Sequence, residues 1–437
     1  MKKTLTAVLL ICTLMLQGCS LFSFDDAEIM APPKATGAKA EIQELIDDQT
    51  SSSYTLVYPK FGSNRSAIVT HDIDNDNVQE AVAFYTDKGG EDVHALFLEY
   101  EDDEYTVITD TVFDGNGVDR VEFADVDNNG IDEILIGYSA KTSSQNTLFI
   151  YTYGKKISKY EDTYQYSSLV TGDFNKDSCD DFLLISLYSG DIAATAKLMV
   201  YNRNGAFSEI GSVELDSDIT QLASAQYGKL SDETFGAVID GISSAGDYTT
   251  QVVLYDNSRA QLLNPLFSYS GYSDTRRSTQ VCSADVNKDE IIEIPLCSLM
   301  AHEESENTET ISRKIDWAYF DISTYSLKVC LSNIICPADG YAVTIPQKWS
   351  TAVTARYDST THETTIYAYE YVKNNFKLSD KLITVKAFGV DSFNKDSGFI
   401  EITTTGATTY AYRIDSANNY LSVTGEEFIT MFSLVNQ

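Results

Sequence analysis

Four short stretches of this chain carry side-chain oxygens at a spacing suited to a hard cation. The clearest is Asp125–Glu133, which reads D-V-D-N-N-G-I-D-E. Asp125, Asp127 and Asn129 occupy the first, third and fifth positions, Gly130 the sixth and Glu133 the ninth. A calcium ion takes roughly six to eight oxygen ligands, and a tight loop can turn these groups toward one point. The backbone carbonyl of Ile131 would add a ligand, and Glu133 would close the shell with one or two oxygens. Gly130 supplies the positive φ that the reversal needs.

The same frame recurs three times. Asp72, Asp74, Asp76 and Glu80 fit it, with the carbonyl of Val78 at the seventh position and Asn77 at the turn. Asp173, Asn175, Asp177 and Asp181 fit it, with the carbonyl of Cys179 and Ser178 at the turn. Asp285, Asn287, Asp289 and Glu293 fit it, with the carbonyl of Ile291 and Glu290 at the turn. Asp and Asn are common in turns for local hydrogen-bonding reasons, so one copy would carry little weight. Four copies, each ahead of an apolar run, are a signal of a different order. Carboxylates set this close repel unless a cation offsets them. Magnesium demands a stricter octahedron and keeps more water, which favours calcium. Bound in this way, the ion is structural rather than catalytic.

The elements that must position these loops follow a period. The loops begin at residues 72, 125, 173 and 285, in steps of 53, 48 and 112 residues, the last being twice 56. One unit therefore lies between the third and fourth loops with its own loop lost; Gln226, Gly228 and Leu230 stand where ligands would be. A second marker keeps the same phase: Leu96–Tyr100, Leu148–Tyr151, Leu198–Tyr201, Val252–Tyr255 and Trp317–Phe320 are short apolar strands ending in an aromatic or near one. Each unit reads strand, acidic loop, strand, strand, turn, strand. Four-stranded units of this length arrayed about an axis are the sequence signature of a β-propeller, here of about five blades.

The D-x-[DN]-x-[DN]-x-x-x-[DE] loop between two strands, repeated at about fifty residues, resembles the FG-GAP and VCBS repeats of integrin-α-type propellers. The resemblance covers residues 66–336. It implies calcium in the loops and a propeller that serves as an interaction platform. Asn77, Ser178 and Glu290 depart from the family's glycine, the fourth unit has no loop, and five units are fewer than that family's usual blades. Tyr54–Tyr58 could supply a closing strand, or the array could be a smaller ring or an open arc.

The flanks read differently. Residues 1–19 have a positive start at Lys2 and Lys3, a short apolar core at Leu5–Leu16, and the ending Leu16-Gln17-Gly18-Cys19. This resembles the lipobox of bacterial lipoproteins and implies export and lipidation of Cys19, hence a membrane anchor on the extracytoplasmic face of the cell membrane. Residues 20–53 read as a tether with Pro32-Pro33, followed by a short helix at Ala38–Ile46 that sets Ile42, Leu45 and Ile46 on one face. The propeller would span 54–337. Residues 338–437 read as a small α+β domain: strands at Thr351–Tyr357, Thr364–Tyr371, Leu382–Phe388, Ile400–Thr404 and Thr408–Ile414, then a helix over Ser422–Leu434. Beyond Cys12 and Cys19 there are five cysteines. Cys282–Cys297 and Cys330–Cys336 are candidate disulfides, with free buried thiols the alternative.

Composition bounds the function. The formal net charge is −34, which argues against nucleic acid and against anionic lipid head groups as partners. Twenty-eight Tyr and 20 Phe suit strands better than helices. Only four His are present, and no H-E-x-x-H, G-x-S-x-G or phosphate-binding Gly loop occurs. His71 abuts the first loop and reads as a strand-end residue. Trp317 reads as core, and Trp349 as a staple of the C-terminal domain. Two functions are consistent with these features. The first is a lipid-anchored, calcium-stabilised binding or scaffold protein for an envelope or extracellular protein or glycan. The second is a carbohydrate-active enzyme with acids clustered at the channel.

Overall fold

The computed structural model describes residues 37–50, 54–87, 90, 92–141, 143–202, 205–267, 273–389, 392–394 and 397–435. The expected signal segment, Cys19 and most of the tether lie outside the described residues. The architecture is mainly β, in six antiparallel sheets taken in chain order. Among the described residues no helix is long and apolar enough to cross a membrane.

The chain enters through helix α1 (Ala38–Gln49), whose Ile42 and Ile46 are fully buried against the first sheet. In that sheet β1 (Tyr54–Leu56) and β2 (Ile68–His71) share one edge of β3 (Glu80–Asp87), followed by β4 (Val93–Glu101) and β5 (Glu104–Phe113). β1 is therefore the second half of the first sheet's own edge, and Tyr54–Leu56 closes no ring with a later sheet. The second sheet has β6 (Gly117–Ala124), β7 (Glu133–Ser139) and β8 (Asn146–Thr152), with β9 (Ser158–Lys159) and β10 (Tyr164–Tyr166) sharing the outer edge of β8. The third is β11 (Ser168–Gly172), β12 (Asp181–Ser186), β13 (Thr195–Asn202) and β14 (Ala206–Glu214). The fourth is β15 (Ile219–Ser231), β16 (Thr234–Ser243), β17 (Tyr248–Asp256) and β18 (Gln261–Leu263).

In the fifth sheet the first strand shrinks to the single bridge between Ala284 and Glu293. It is followed by β19 (Ile294–Leu299), β20 (Arg313–Asp321), β21 (Ser326–Cys336) and β22 (Tyr341–Thr344). The sixth sheet contains β23 (Val353–Asp358), β24 (Glu363–Val372), β25 (Asn375–Phe388), β26 (Ile400–Thr405) and β27 (Thr408–Ile414), in the order β23-β24-β25-β27-β26. A full capping box starts helix α2 (Gly425–Met431): Thr424 accepts from the Glu427 N–H, and Glu427 reaches back to the Thr424 N–H. The helix was expected to run to Leu434. It stops at Met431 because β28 (Phe432–Leu434) pairs with β22 instead. Phe432 there stacks on Tyr341. The boundary expected at 337–338 falls in the β21–β22 turn, and one core, including Ile334, Val343, Ile366 and Val385, runs across it.

Neighbouring sheets share apolar cores. Val82, Phe84 and Phe97 meet Ile134 and Ile136; Leu135 and Ile150 meet Phe182 and Leu184; Leu183 and Ile185 meet Ile239 and Val253; Val238 and Val252 meet Ile294 and Phe320. This explains why β3, β7 and β12 are unbroken apolar runs rather than alternating ones: each is covered on both faces. Every such Val, Leu, Ile or Phe contributes about 1.5–3 kcal/mol by leaving water. Among the described residues no shared cluster joins the first sheet to the sixth. The five marker strands expected from the repeat are the third strands β4, β8, β13, β17 and β20. A β-bulge recurs on the neighbouring fourth strand at matching points of three of them, at Ile108 opposite Phe97 and Leu98, Ile210 opposite Leu198 and Met199, and Cys330 opposite Trp317 and Ala318.

The chain at 275–283, ahead of β19, is fixed by a buried ion pair. Arg277 Nη2 lies 2.9 Å from Asp240 Oδ1, and both side chains are 0% exposed. Asp240 also accepts from the Ser283 N–H and hydroxyl, and Arg277 donates to the carbonyls of Thr275 and Val281. This sets the chain just ahead of the fourth acidic loop. Removing one partner strands a buried charge, whereas replacing both with apolar groups need not be costly. We therefore expect Arg277→Met to cost about 3–5 kcal/mol in denaturant unfolding, and Arg277→Met with Asp240→Leu to recover much of the loss. A single variant that melts like the parent would show that the pair does not hold this segment.

Candidate metal centre

The four acidic loops join the first and second strands of the first, second, third and fifth sheets, and they share one hydrogen-bond scheme. The first carboxylate of each accepts the N–H of the fifth and sixth residues. Asp72 accepts from Asp76 and Asn77, Asp125 from Asn129 and Gly130, Asp173 from Asp177 and Ser178, and Asp285 from Asp289 and Glu290. The ninth residue reaches back under the loop. Glu80, Glu133, Asp181 and Glu293 accept the N–H of Ile73, Val126, Phe174 and Val286 at 2.9, 3.2, 3.1 and 2.9 Å.

The backbone matches as well. Gly130 has φ of 85°, and Asn77, Ser178 and Glu290 hold 70°, 70° and 71° at the same position. The departures from glycine leave the loop shape unchanged, because four hydrogen bonds over-determine it. A second left-handed residue, at the fourth position, was not anticipated: Asn75, Asn128, Lys176 and Lys288. Two asparagines there were the only hint.

Side-chain spacing separates the loops into two kinds. In the first, carboxylate oxygens of Asp72, Asp74 and Glu80 lie within 4.8 Å of one another, as do those of Asp125, Asp127 and Glu133 in the second. In the third, Asn175 Nδ2 donates to Asp177 Oδ2 at 2.9 Å. In the fourth, Asn287 Nδ2 donates to Asp289 Oδ2 at 2.9 Å and to Glu293 Oε1 at 3.0 Å. Asp74 Oδ1 and Asp181 Oδ1 are buried and have no hydrogen-bond partner. A buried carboxylate oxygen without a donor is costly. Burial, aided by neighbouring carboxylates, pushes Glu133 up to about 7 and Asp181 up to about 8. Glu80, Asp74 and Glu293 move the same way for the same first cause. The donor sets of the first two loops fit a hard divalent cation, being all oxygen with excess negative charge, and Asp74 Oδ1 and Asp181 Oδ1 are left without another partner. The seventh residues Val78, Ile131, Cys179 and Ile291 use their N–H groups to bond the side chain two residues earlier.

The loops are also tied to one another. The eighth residue of a loop donates its N–H to a carbonyl of the preceding unit: Asp132 to Ile73, Asp180 to Asp125 and Ile292 to Lys229, at 2.8, 2.9 and 2.9 Å. Asn75 Nδ2 bonds the Gly130 carbonyl at 2.9 Å, and His71 Nε2 lies 2.6 Å from Asp132 Oδ2 while stacking on Phe123. His71 ends β2, as expected of a strand-end residue. In the fourth sheet the lost loop is a tight hairpin, β15 running straight into β16. Tyr227 there bonds the Asp173 carbonyl at 2.6 Å, its ring lying where a side chain on Gly172 would stand.

Other expected groups find plain roles. All five described cysteines are free thiols. Cys330 and Cys336 stand six residues apart on β21, too far for a disulfide. The bridge of Ala284 with Glu293 places Cys282 opposite 295 rather than Cys297. Trp349 is fully buried, its Nε1 donating to the Leu421 carbonyl at 2.6 Å, which ties the C-terminal segment down. Glycoside hydrolysis needs two acids. A cavity of about 930 Å³ between the first strands of the second to fourth sheets has one carboxylate, Glu122, among its described lining residues.

No family model matches the chain, and no curated protein matches it. Among solved structures, the crystal structure of a protein from Lactobacillus plantarum is similar at 10% identity and a TM-score of 0.32, over 75% of this chain and 94% of that one. So distant a likeness supports no inference about activity or ligand.

A pH dependence follows from the raised carboxyls. A carboxyl whose folded value exceeds its unfolded one stabilises the fold at low pH, and that contribution is lost as pH rises through the folded value. Without added divalent cation, thermal stability should therefore fall between about pH 5 and 8 as Glu133 and Asp181 ionise. Asp181→Asn, which keeps the shape without the charge, should flatten the fall. A melting temperature that stays level over this range would contradict the close packing of these acids.

Proposed function

We propose that the four acidic loops hold calcium and that the first five sheets form a propeller-type array, anchored outside the cell and presenting a surface to a ligand. The observation that carries this reading is the set of matched loops with inward carboxylate oxygens that lack a partner in Asp74 and Asp181. Asp72, Asp74, Asp76 and Glu80 would hold one ion and Asp125, Asp127, Asn129 and Glu133 a second, with the carbonyls of Val78 and Ile131. Asp173, Asn175, Asp177 and Asp181, and Asp285, Asn287, Asp289 and Glu293, would hold the others, with the carbonyls of Cys179 and Ile291. The ion supplies charge compensation in place of the protons that the buried acids otherwise need.

The array reading is supported by sheets that follow one another in chain order, by pairwise shared cores and by bulges at matching points. An envelope location rests on the lipobox-like ending at Cys19. A binding role rests on the absence of a catalytic motif in the sequence and on the single acid in the described cavity lining. The partner class is a protein or glycan, and the net charge of −34 disfavours nucleic acid.

The test is a thermal melt of the purified chain in chelator, in millimolar calcium and in millimolar magnesium. A site that binds only the folded state stabilises it by about 2.7 kcal/mol at a hundredfold excess over Kd. Calcium should raise the melting temperature clearly more than magnesium, and Asp125→Asn with Glu133→Gln should reduce the rise without abolishing it. Equal melts in chelator and calcium would refute the loop assignment.

A further inference from the structure

The cavity between the first strands of the second, third and fourth sheets has a wall that the loops do not use. A segment from the first sheet crosses onto β6: the Lys60 N–H donates to the Val118 carbonyl at 3.2 Å, the Phe61 N–H to Asp119 at 2.8 Å, and Asn64 Nδ2 to Val121 at 3.1 Å. Two side chains line this wall. Phe61 is 55% exposed and lines the cavity. Glu122 lies directly under the turn at Gly62, where a Cβ would come within 2.6 Å of its Oε1.

The charges in the cavity differ in availability. Arg120 is committed, with Nε on Asp119 at 3.1 Å, Nη1 on the Leu169 carbonyl at 2.6 Å and Nη2 on Ser168 at 3.2 Å. Glu122 has neither a hydrogen-bond nor an ion-pair partner among the described residues. Its carboxyl is raised, chiefly by burial and against the opposing pull of Arg120. The rest of the lining offers neutral donors and acceptors: Ser167, Thr171, Gln221, Ser224 and Gln226. A carboxylate beside an aromatic face is a donor set for an ammonium group. Neutral hydroxyls and amides suit sugar hydroxyls. A volume of about 930 Å³ is in the range of small-ligand sites.

We infer that this cavity binds a glycan carrying a free amino group, the ammonium against Glu122 and a sugar face against Phe61. The inference rests on the binding role proposed above and names its ligand class. An acidic glycan would meet both Glu122 and the field of a chain with net charge −34. A neutral glycan would cover the carboxylate without pairing it. A lysine-rich peptide would satisfy Glu122 but leave the hydroxyl-bonding wall unused.

The experiment is calorimetric titration of the purified protein, in calcium and at physiological salt, with a glucosamine tetramer, its N-acetylated counterpart and tetralysine. The glucosamine tetramer should bind at least about tenfold more tightly than either of the others. Glu122→Gln, which keeps the shape, should weaken it about tenfold or more, and Phe61→Ala should weaken it too. Glu101→Gln, an exposed acid elsewhere, should leave it unchanged. Absent binding, equal binding of the acetylated tetramer or of tetralysine, or equal losses in the Glu101 and Glu122 variants would each overturn the inference. Calcium melts of the same samples separate the two readings: a retained calcium shift with no glucosamine binding refutes the cavity assignment alone.

Discussion

The constraint on which this structure depends is the placing of carboxylates in turns that are half withdrawn from water. Each acidic loop must bring its first and ninth residues together, because these bond the backbone of the loop and hold it in shape. That demand draws Asp125 and Glu133, or Asp173 and Asp181, into one small volume. Desolvation and the neighbouring carboxylates then both oppose ionisation of the ninth residues, Glu133 and Asp181. The loop geometry is thus stable in hydrogen bonds and unstable in charge, and a cation or a proton must resolve the conflict. The hydrogen bonds alone settle the backbone, which is why Ser178 and Glu290 adopt the conformation that Gly130 adopts.

From the loops the constraint passes to the sheets. Each loop is the link between first and second strands, so its shape fixes their register: His71 opposite Glu80, Ala124 opposite Glu133, Gly172 opposite Asp181. The N–H of the eighth residue then ties the second, third and fourth loops each to the preceding unit. Local charge balance and the spacing of neighbouring sheets are therefore one problem, met at one rim, while the apolar cores between the sheets supply the bulk of the burial.

Much of this was legible in the sequence, for identifiable reasons. The loops were readable because calcium-type geometry needs fixed residue types at fixed positions, and the strands because their apolar runs kept phase with those loops. The C-terminal strands were readable from alternation. What sequence could not give was anything set by a partner distant along the chain. Phe432–Leu434 continues a helical pattern from Phe428 and Met431, yet it is taken by β22, whose edge no local signal announces. Tyr54–Tyr58 reads as a strand, but only the open length of β3 decides where its paired part, Tyr54–Leu56, lies. The Arg277–Asp240 pair joins residues 37 apart and leaves no local pattern. Glu122 and Phe61 likewise line one cavity only because a segment of the first sheet crosses onto the second.

The fourth sheet shows what the rim requires when the loop is missing. With no nine-residue acidic loop between β15 and β16, only the short Asp232-Glu233 turn, no ion site is set up there, yet the ties to the units on either side must still be made. Tyr227 makes one by reaching the Asp173 carbonyl, and the Lys229 carbonyl makes the other by accepting from Ile292. Lys229 also sets its ammonium 2.6 Å from Glu290 of the next loop, and Lys176 of the preceding loop bonds the Glu233 carbonyl at the hairpin. Fixed side-chain cations and a phenol thus occupy the seams around the fourth sheet, where the repeat has no candidate ion site. The arrangement separates two roles that the loops combine: hydrogen-bonding of neighbours, which every unit must perform, and concentration of negative charge, which only the loop units incur.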